Sequence, residues 1–180
     1  MFLERGYGRT TTDDIAARCR ISKQTLYRLF PSKPALFVSI VDLHRQSMLA
    51  LPGDYKGVPL DRALEQIFNI GIDPAAHEER MALIKLVTLE APQYPELGDI
   101  LRRHGADKSH AELAKWLGRQ ATNGLIQIDD VDDAAWLLMD MVFGAIAARL
   151  FNDPHRRRAE DLSSHIRRCV SIFLHGVQPR

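Results

Sequence analysis

The sequence predicts an all-α fold of about nine helices, a three-helix N-terminal module followed by a larger helical bundle. Three observations carry that expectation. Apolar residues recur every three or four positions, as on one face of a helix. No run alternates β-branched and polar residues over the length of a strand. Glycine and proline punctuate the chain, and the periodic stretches run between them.

The first helix is under way at Phe2 and stops where Gly6 and Gly8 flank Tyr7. Thr11 and Asp14 form a T-x-x-D resembling a capping box, opening a second helix of about two turns. Ile15, Ala16 and Cys19 give it a narrow apolar face, and Cys19 is expected to be packed. Arg20-Ile21 makes a tight turn, and Ser22 caps a third short helix with Leu26, Leu29 and Phe30 facing inward. Phe30-Pro31 ends it, because the residue before proline is driven out of helical geometry. Ser32 caps a long fourth helix with Pro34 in its first turn and an apolar set of Leu36, Phe37, Ile40, Val41, Leu43 and Leu51.

Residues 51–59 read as loop, and helices follow near 60–71, 75–91 and 95–122, with Pro92 and Pro95 separating the last two. Asp130 and Asp133 cap a helix running to about Phe151, which Asp153-Pro154 breaks. Leu162, Ile166, Cys169, Val170, Phe173 and Leu174 stripe a final helix ending near His175.

Composition narrows the function classes. The 180 residues carry a formal net charge of +1, but the charge is segregated. Residues 1–50 hold eight Lys and Arg against four acids, and the remaining 130 hold sixteen against nineteen. A basic N-terminal module on a mildly acidic body suits a polyanion met by the first part alone. Two distant cysteines form neither a disulfide framework nor a zinc site, and a cytoplasmic protein is expected. Met1-Phe2-Leu3 runs straight into Glu4-Arg5, with no signal-peptide core. Ala134–Phe151 has only Asp140 and Arg149 charged, yet Asp140 near its centre would cost about 3 kcal/mol in a bilayer. A helix buried by protein, with no membrane partner, fits better.

Seven histidines show no i, i+4 pair and no HExxH, so no metal and no cofactor is expected. No G-x-S-x-G elbow or triad spacing is present, so the chain does not read as an enzyme. The triplet Arg156-Arg157-Arg158 reads as a solvated loop.

Two short capped helices joined by a tight turn make a helix-turn-helix, whose second helix leaves Lys23, Gln24, Thr25, Tyr27 and Arg28 facing outward. These side chains supply the donors and acceptors that contact bases and phosphates. The run from Gly6 to Ala17 (GYGRTTTDDIAA), followed by Ile21 to Phe37 (ISKQTLYRLFPSKPALF), closely resembles the DNA-binding domain of TetR-family repressors. Glu90-Ala91-Pro92-Gln93-Tyr94-Pro95-Glu96-Leu97 resembles the AcrR/AefR-like branch of that family.

The resemblance implies a DNA-binding domain over 1–48 and a ligand-binding and dimerisation domain over 49–180. Thr11, Tyr27 and Lys33 would then hold phosphates, and Lys23, Gln24, Thr25 and Arg28 would make base or mixed contacts. Arg20 stands where the family often has glycine. The resemblance also implies about two more turns of the first helix than this chain carries. A start upstream of Met1 is therefore expected, or else a weakened module that exposes Ile15, Leu26 and Phe30.

In the body, Met81, Ile84, Trp116, Met139 and Phe143 are candidates for a pocket taking a small hydrophobic or aromatic effector. The last two helices carry Ala134, Leu138, Met141, Val142 and Ala145, and Leu162, Ile166, Cys169 and Phe173, an expected homodimer face in a four-helix bundle. The function implied is a ligand-responsive regulator, a repressor leaving a pseudo-palindromic double-stranded operator when its effector binds. The alternative is a helical ligand-binding or interaction protein that has lost DNA binding through its short first helix.

Overall fold

Side-chain caps set the helix boundaries at the N-terminal end. Thr11 and Asp14 form a reciprocal capping box: the Thr11 hydroxyl accepts from the Asp14 amide at 3.1 Å, and the Asp14 carboxylate accepts from the Thr11 amide at 3.1 Å. The Ser22 hydroxyl accepts from the Thr25 amide at 3.0 Å, and that of Ser32 from the Ala35 amide at 3.2 Å. Each satisfies a donor that the first helical turn leaves over.

The structure, a computed structural model, describes residues 1–71, 74–152 and 159–177, the side chains at 74, 145–152 and 159–161 excepted. Its helices are α1 (Phe2–Arg5), α2 (Thr12–Cys19), α3 (Lys23–Leu29), α4 (Lys33–Met48), α5 (Leu60–Ile67), α6 (Pro74–Glu90), α7 (Pro95–Ile100), α8 (Asp107–Thr122), α9 (Val131–Asn152) and α10 (Ala159–Val177). A π-helical turn, Leu101–Ala106, joins α7 to α8, so the helix expected over 95–122 is one run with a wider turn inside it. No strand occurs among the described residues. Among them, no helix is long and apolar enough to cross a membrane. The Arg156-Arg157-Arg158 triplet lies outside the described residues.

The chain packs into two units, Met1–Arg45 with His77–Ala106, and Gln46–Ala76 with Asp107–Arg180. This division differs from the boundary drawn at residue 48. In the first unit, Phe2, Tyr7, Ile15, Ala16, Leu26, Phe37 and Val41 share a core with Leu83, Val87, Leu97 and Ile100. Phe37 meets the rings of Phe2 and Tyr7 edge-on, with centroids 5.6 and 5.4 Å away. Ile15 and Leu26 are buried and Phe30 is half-buried. Residues of α6 and α7 belong to the same buried cluster.

Three expected core positions lie outside it. Leu43 is 72 % exposed, because Phe37 and Val41, four residues apart, define the buried line of α4 and Leu43 falls on the opposite side. Leu29 is 59 % exposed: Leu26 fills the single inward slot of a seven-residue helix. Cys19 is exposed at the end of α2, where the chain swings into the turn. Arg20 makes that turn with φ 54° and ψ 40°, and its amide returns to the Ala16 and Ala17 carbonyls. An L-residue in this left-handed conformation gives up about 1 kcal/mol.

In the second unit α8 packs on α9, and α10 packs on both α5 and α9. Leu64, Ile67, Phe68, Leu113, Leu117, Leu138 and Val142 fill its interior. Asp130 caps α9 through a 3.0 Å bond from the Asp133 amide, as the sequence predicts.

Candidate nucleic-acid interface

α2 and α3 pack against each other as the helix-turn-helix spacing requires, and α3 turns a polar surface outward. Lys23, Gln24, Tyr27 and Arg28 are exposed, and Thr25 is half-buried. Polar contacts order several of these side chains. Lys23 Nζ lies 2.7 Å from an Asp13 carboxylate oxygen, which pushes the lysine pKa up. The Tyr27 hydroxyl lies 3.1 Å from that of Thr12, tying α3 to the first turn of α2. The Thr25 hydroxyl is 2.8 Å from that of Ser22, and Thr11 donates to Asp14 at 2.7 Å. The structure thus gathers Thr11, Lys23, Gln24, Thr25, Tyr27 and Arg28 on the α2–α3 pair.

Lys33 stands apart from this group. Its ammonium sits 4.2 Å from the centre of the Tyr7 ring, a cation–π contact. Burial lowers its pKa, opposed by the charges of Glu90 and Glu96. The loop under Lys33 is held by a residue that sequence reading missed. Glu90, the last residue of α6, accepts from the Tyr7 amide through one carboxylate oxygen at 3.0 Å and from the Gly8 amide through the other at 2.9 Å. Gly6, at φ 87°, has no room for a Cβ beside that carboxylate, and a Cβ on Gly8 would meet the Tyr94 ring. Close approach favours glycine at both positions, and the left-handed φ favours it at Gly6 as well. The residues involved are 82 and 83 positions apart, so no local pattern announces the contact. The only signal was that GYG and EAPQYPEL both carry the family resemblance.

A second feature of this unit was also missed. Arg80, on α6, is only 7 % exposed. His44, on α4, has its pKa pushed down to about 4, first by burial and then by the Arg80 charge. Unfolded, His44 takes a proton near pH 6.5; folded, it resists until about pH 4. Its contribution is therefore present above pH 6.5 and lost as the pH falls through that window, by at most about 3 kcal/mol. Urea unfolding at pH 7 and pH 4.5 is expected to show His44→Gln losing less stability than the wild type. Equal losses would mean that His44 titrates normally.

The family model for bacterial regulatory proteins of the tetR family matches residues 1–40, and that for the AefR-like transcriptional repressor C-terminal domain matches residues 62–176. The chain belongs to the TetR family. An uncharacterised HTH-type transcriptional regulator of Mycobacterium tuberculosis is 31% identical over 137 residues, covering 76% of this chain and 65% of the relative. The chain thus spans less than two thirds of the length of that relative. Among solved structures, a TetR-family transcriptional regulator of Mesorhizobium loti has a TM-score of 0.72 at 26% identity, covering 99% of this chain and 91% of the other. The flavonoid-responsive regulator FrrA has a TM-score of 0.71 at 27% identity, covering 99% and 92%.

Of the pocket candidates, Met81 and Ile84 are half-buried in the first unit. In the second, Met139 is buried and Phe143 packs on Phe68 at 5.7 Å, both serving as core. Trp116 lines a pocket of about 910 Å³ between the loop around Tyr55 and the C-terminal half of α8. Tyr55 meets Trp116 edge-on at 6.4 Å.

The residues expected at the dimer face are largely covered within the single chain. Leu138, Val142, Leu162, Ile166, Cys169 and Phe173 are buried within the single chain, and Met141 is half-buried. Their stripes pack within the single chain. Cys169 Sγ and a His165 ring nitrogen both approach the Met141 carbonyl, at 3.2 and 2.9 Å. The Ala145 side chain lies outside the described residues. Among the described residues, the large apolar side chains that α9 and α10 expose are Trp136, Leu137 and Ile172.

Proposed function

We propose that this chain is a cytoplasmic, ligand-responsive transcriptional regulator, a repressor that leaves a pseudo-palindromic DNA operator when a small organic molecule binds. The observation that carries this reading is the capped α2–α3 pair with its polar outer face, in a chain of the TetR family. Gln24, Lys23, Thr25 and Arg28 read base edges and phosphates. Thr11, Tyr27 and Lys33 hold phosphates, with residues 1–48 contributing the contacts and the rest of the chain the response. The likeness to a flavonoid-responsive regulator supports a planar or aromatic effector. No enzymatic step is part of this reading.

Fluorescence anisotropy with duplexes from the DNA flanking the gene tests it. Gln24→Ala is expected to relax preference at one base position by about 1–3 kcal/mol. Lys33→Met keeps the stem over Tyr7, weakens all sequences alike and lowers the salt slope by about one. A wild-type chain with no preference for an inverted repeat over random duplex refutes the proposal.

TetR-family regulators act as dimers. We place this chain's dimer face on the exposed side of α9 and α10, around Leu137 and Ile172, which are 62 % and 58 % exposed. A second copy would cover this apolar surface and set two α3 helices on successive turns of DNA. Sedimentation is expected to give twice the 20.4 kDa chain mass, and Leu137→Glu to shift it to monomer. An unchanged dimer in that variant would move the interface elsewhere.

A further inference from the structure

The core between α4 and α6 changes character along its length. Phe37 and Val41 on α4 pack in one cluster with Val87 and Leu83 on α6, layers of apolar side chains repeated one helical turn apart. One turn further, the next pair is His44 and Arg80, close enough for the arginine charge to act on the imidazole. His77 follows on the same face of α6 as Arg80. His104 lies on the π-helical turn, 3.7 Å from Asp42 on α4, and Gly105 beside it would place a Cβ 3.6 Å from Val41. An apolar seam therefore ends in a group of basic side chains.

Arg80 is the unusual member. It is 93 % buried by area, and among the described residues its Nε has no hydrogen-bond partner. Burial brings its pKa down to about 10, and among the described residues no carboxylate pairs with it. A buried guanidinium is normally matched by a fork of acceptor oxygens, and leaving one unmatched is costly. Glu78 and Glu79, its neighbours on α6, do not supply the match. The group fits a function that needs an anion there only part of the time.

We propose that Arg80, with His44 beside it, receives the carboxylate of the effector, so that the molecule sensed is an organic acid with an apolar body. The inference rests on the reading of the chain as a ligand-responsive regulator and names the effector class. One unmatched positive charge calls for a monoanion. A planar carboxylate meets the guanidinium through two parallel hydrogen bonds. Ile84, one turn from Arg80 on α6 and half-buried, offers apolar contact to the acid's body.

The test uses the full chain, with acetate, hexanoate and benzoate as probes against their amides, and inorganic phosphate as a separate arm. Thermal melting and titration calorimetry report binding. At least one carboxylate is expected to raise the melting temperature saturably and to bind at least about tenfold tighter than its amide, a difference one charge-assisted pair readily supplies. Arg80→Met keeps the volume and is expected to abolish that preference, while ligand-free it melts no lower than the wild type. Arg80→Lys retains a weakened preference.

No carboxylate preferred over its amide, or a preference that survives Arg80→Met, overturns the proposal. So does protection by phosphate in place of the carboxylates. A lower ligand-free melting temperature for Arg80→Met also overturns it, since the guanidinium would then be matched within the chain. Operator binding without probes is measured separately. Intact DNA binding with no anion preference refutes this inference alone, and the converse refutes the regulator reading alone.

Discussion

Replacing Phe37 by alanine is expected to lower the free energy of unfolding by about 3–5 kcal/mol, the range for removing a fully enclosed aromatic ring. Phe37 has no exposed surface and contacts two aromatic rings edge-on. The site cannot collapse easily, because Phe2 is anchored on α1, Tyr7 is fixed by its own backbone contact to Glu90, and Val41 is one turn away on the same helix. A domain's whole stability is about 5–15 kcal/mol, so this change takes a large share of it. Operator affinity should fall with it, since Leu26 seats α3 on the same core. Urea unfolding followed by circular dichroism gives the measurement, with Phe37→Leu as the milder companion. A loss below about 1 kcal/mol for Phe37→Ala would mean that the ring is not the centre of this core.

Glu90→Ala is expected to cost about 2–4 kcal/mol, from two hydrogen bonds between an ionised carboxylate and backbone amides. The Tyr7 amide belongs to a buried residue, so it loses its partner without gaining full access to water. Glu90→Gln separates charge from shape: its single carbonyl oxygen can serve one amide while its NH₂ group opposes the other, and an intermediate loss is expected. The effect should reach DNA binding, because the Gly6-Tyr7-Gly8 segment leads directly into the Thr11 cap of α2. Glu90→Ala is thus expected to weaken operator binding more than an exposed substitution of equal charge, such as Glu79→Ala. Wild-type stability and affinity in Glu90→Ala would remove Glu90 from any role in holding the module.

Features governed by local chemistry were legible in the sequence. The capping box at Thr11, the Ser22 and Ser32 caps and the Asp130 cap each depend on residues three apart, and each is found where the spacing puts it. Helical periodicity marked α4, α9 and α10 but not what their faces meet. The stripe of Leu138, Val142, Ile166 and Cys169 is equally consistent with a partner copy and with the chain's own helices, and the chain's own packing claims it. Leu43 was misplaced by grouping apolar residues along α4 without following the rotation of each.

The two features with most bearing on mechanism had no local signature. Glu90 meets an amide pair more than eighty residues away, and Arg80 lies in a helix whose neighbouring turns read as ordinary core. Arg20 stands where the family often has glycine, and the left-handed backbone found there explains why glycine suits that place. The π-helical turn at Leu101–Ala106 arises inside a helical run with no proline to mark it.

The shared core of the first unit has a consequence for synthesis. Leu83, Val87, Glu90 and Leu97 must emerge from the ribosome before Phe2, Tyr7 and Phe37 can be fully enclosed. Closing a loop of that length costs entropy before any contact repays it. The helix-turn-helix segment is thus made first and completed late. Grafting residues 1–48 onto a foreign body would transplant the binding surface without its foundation.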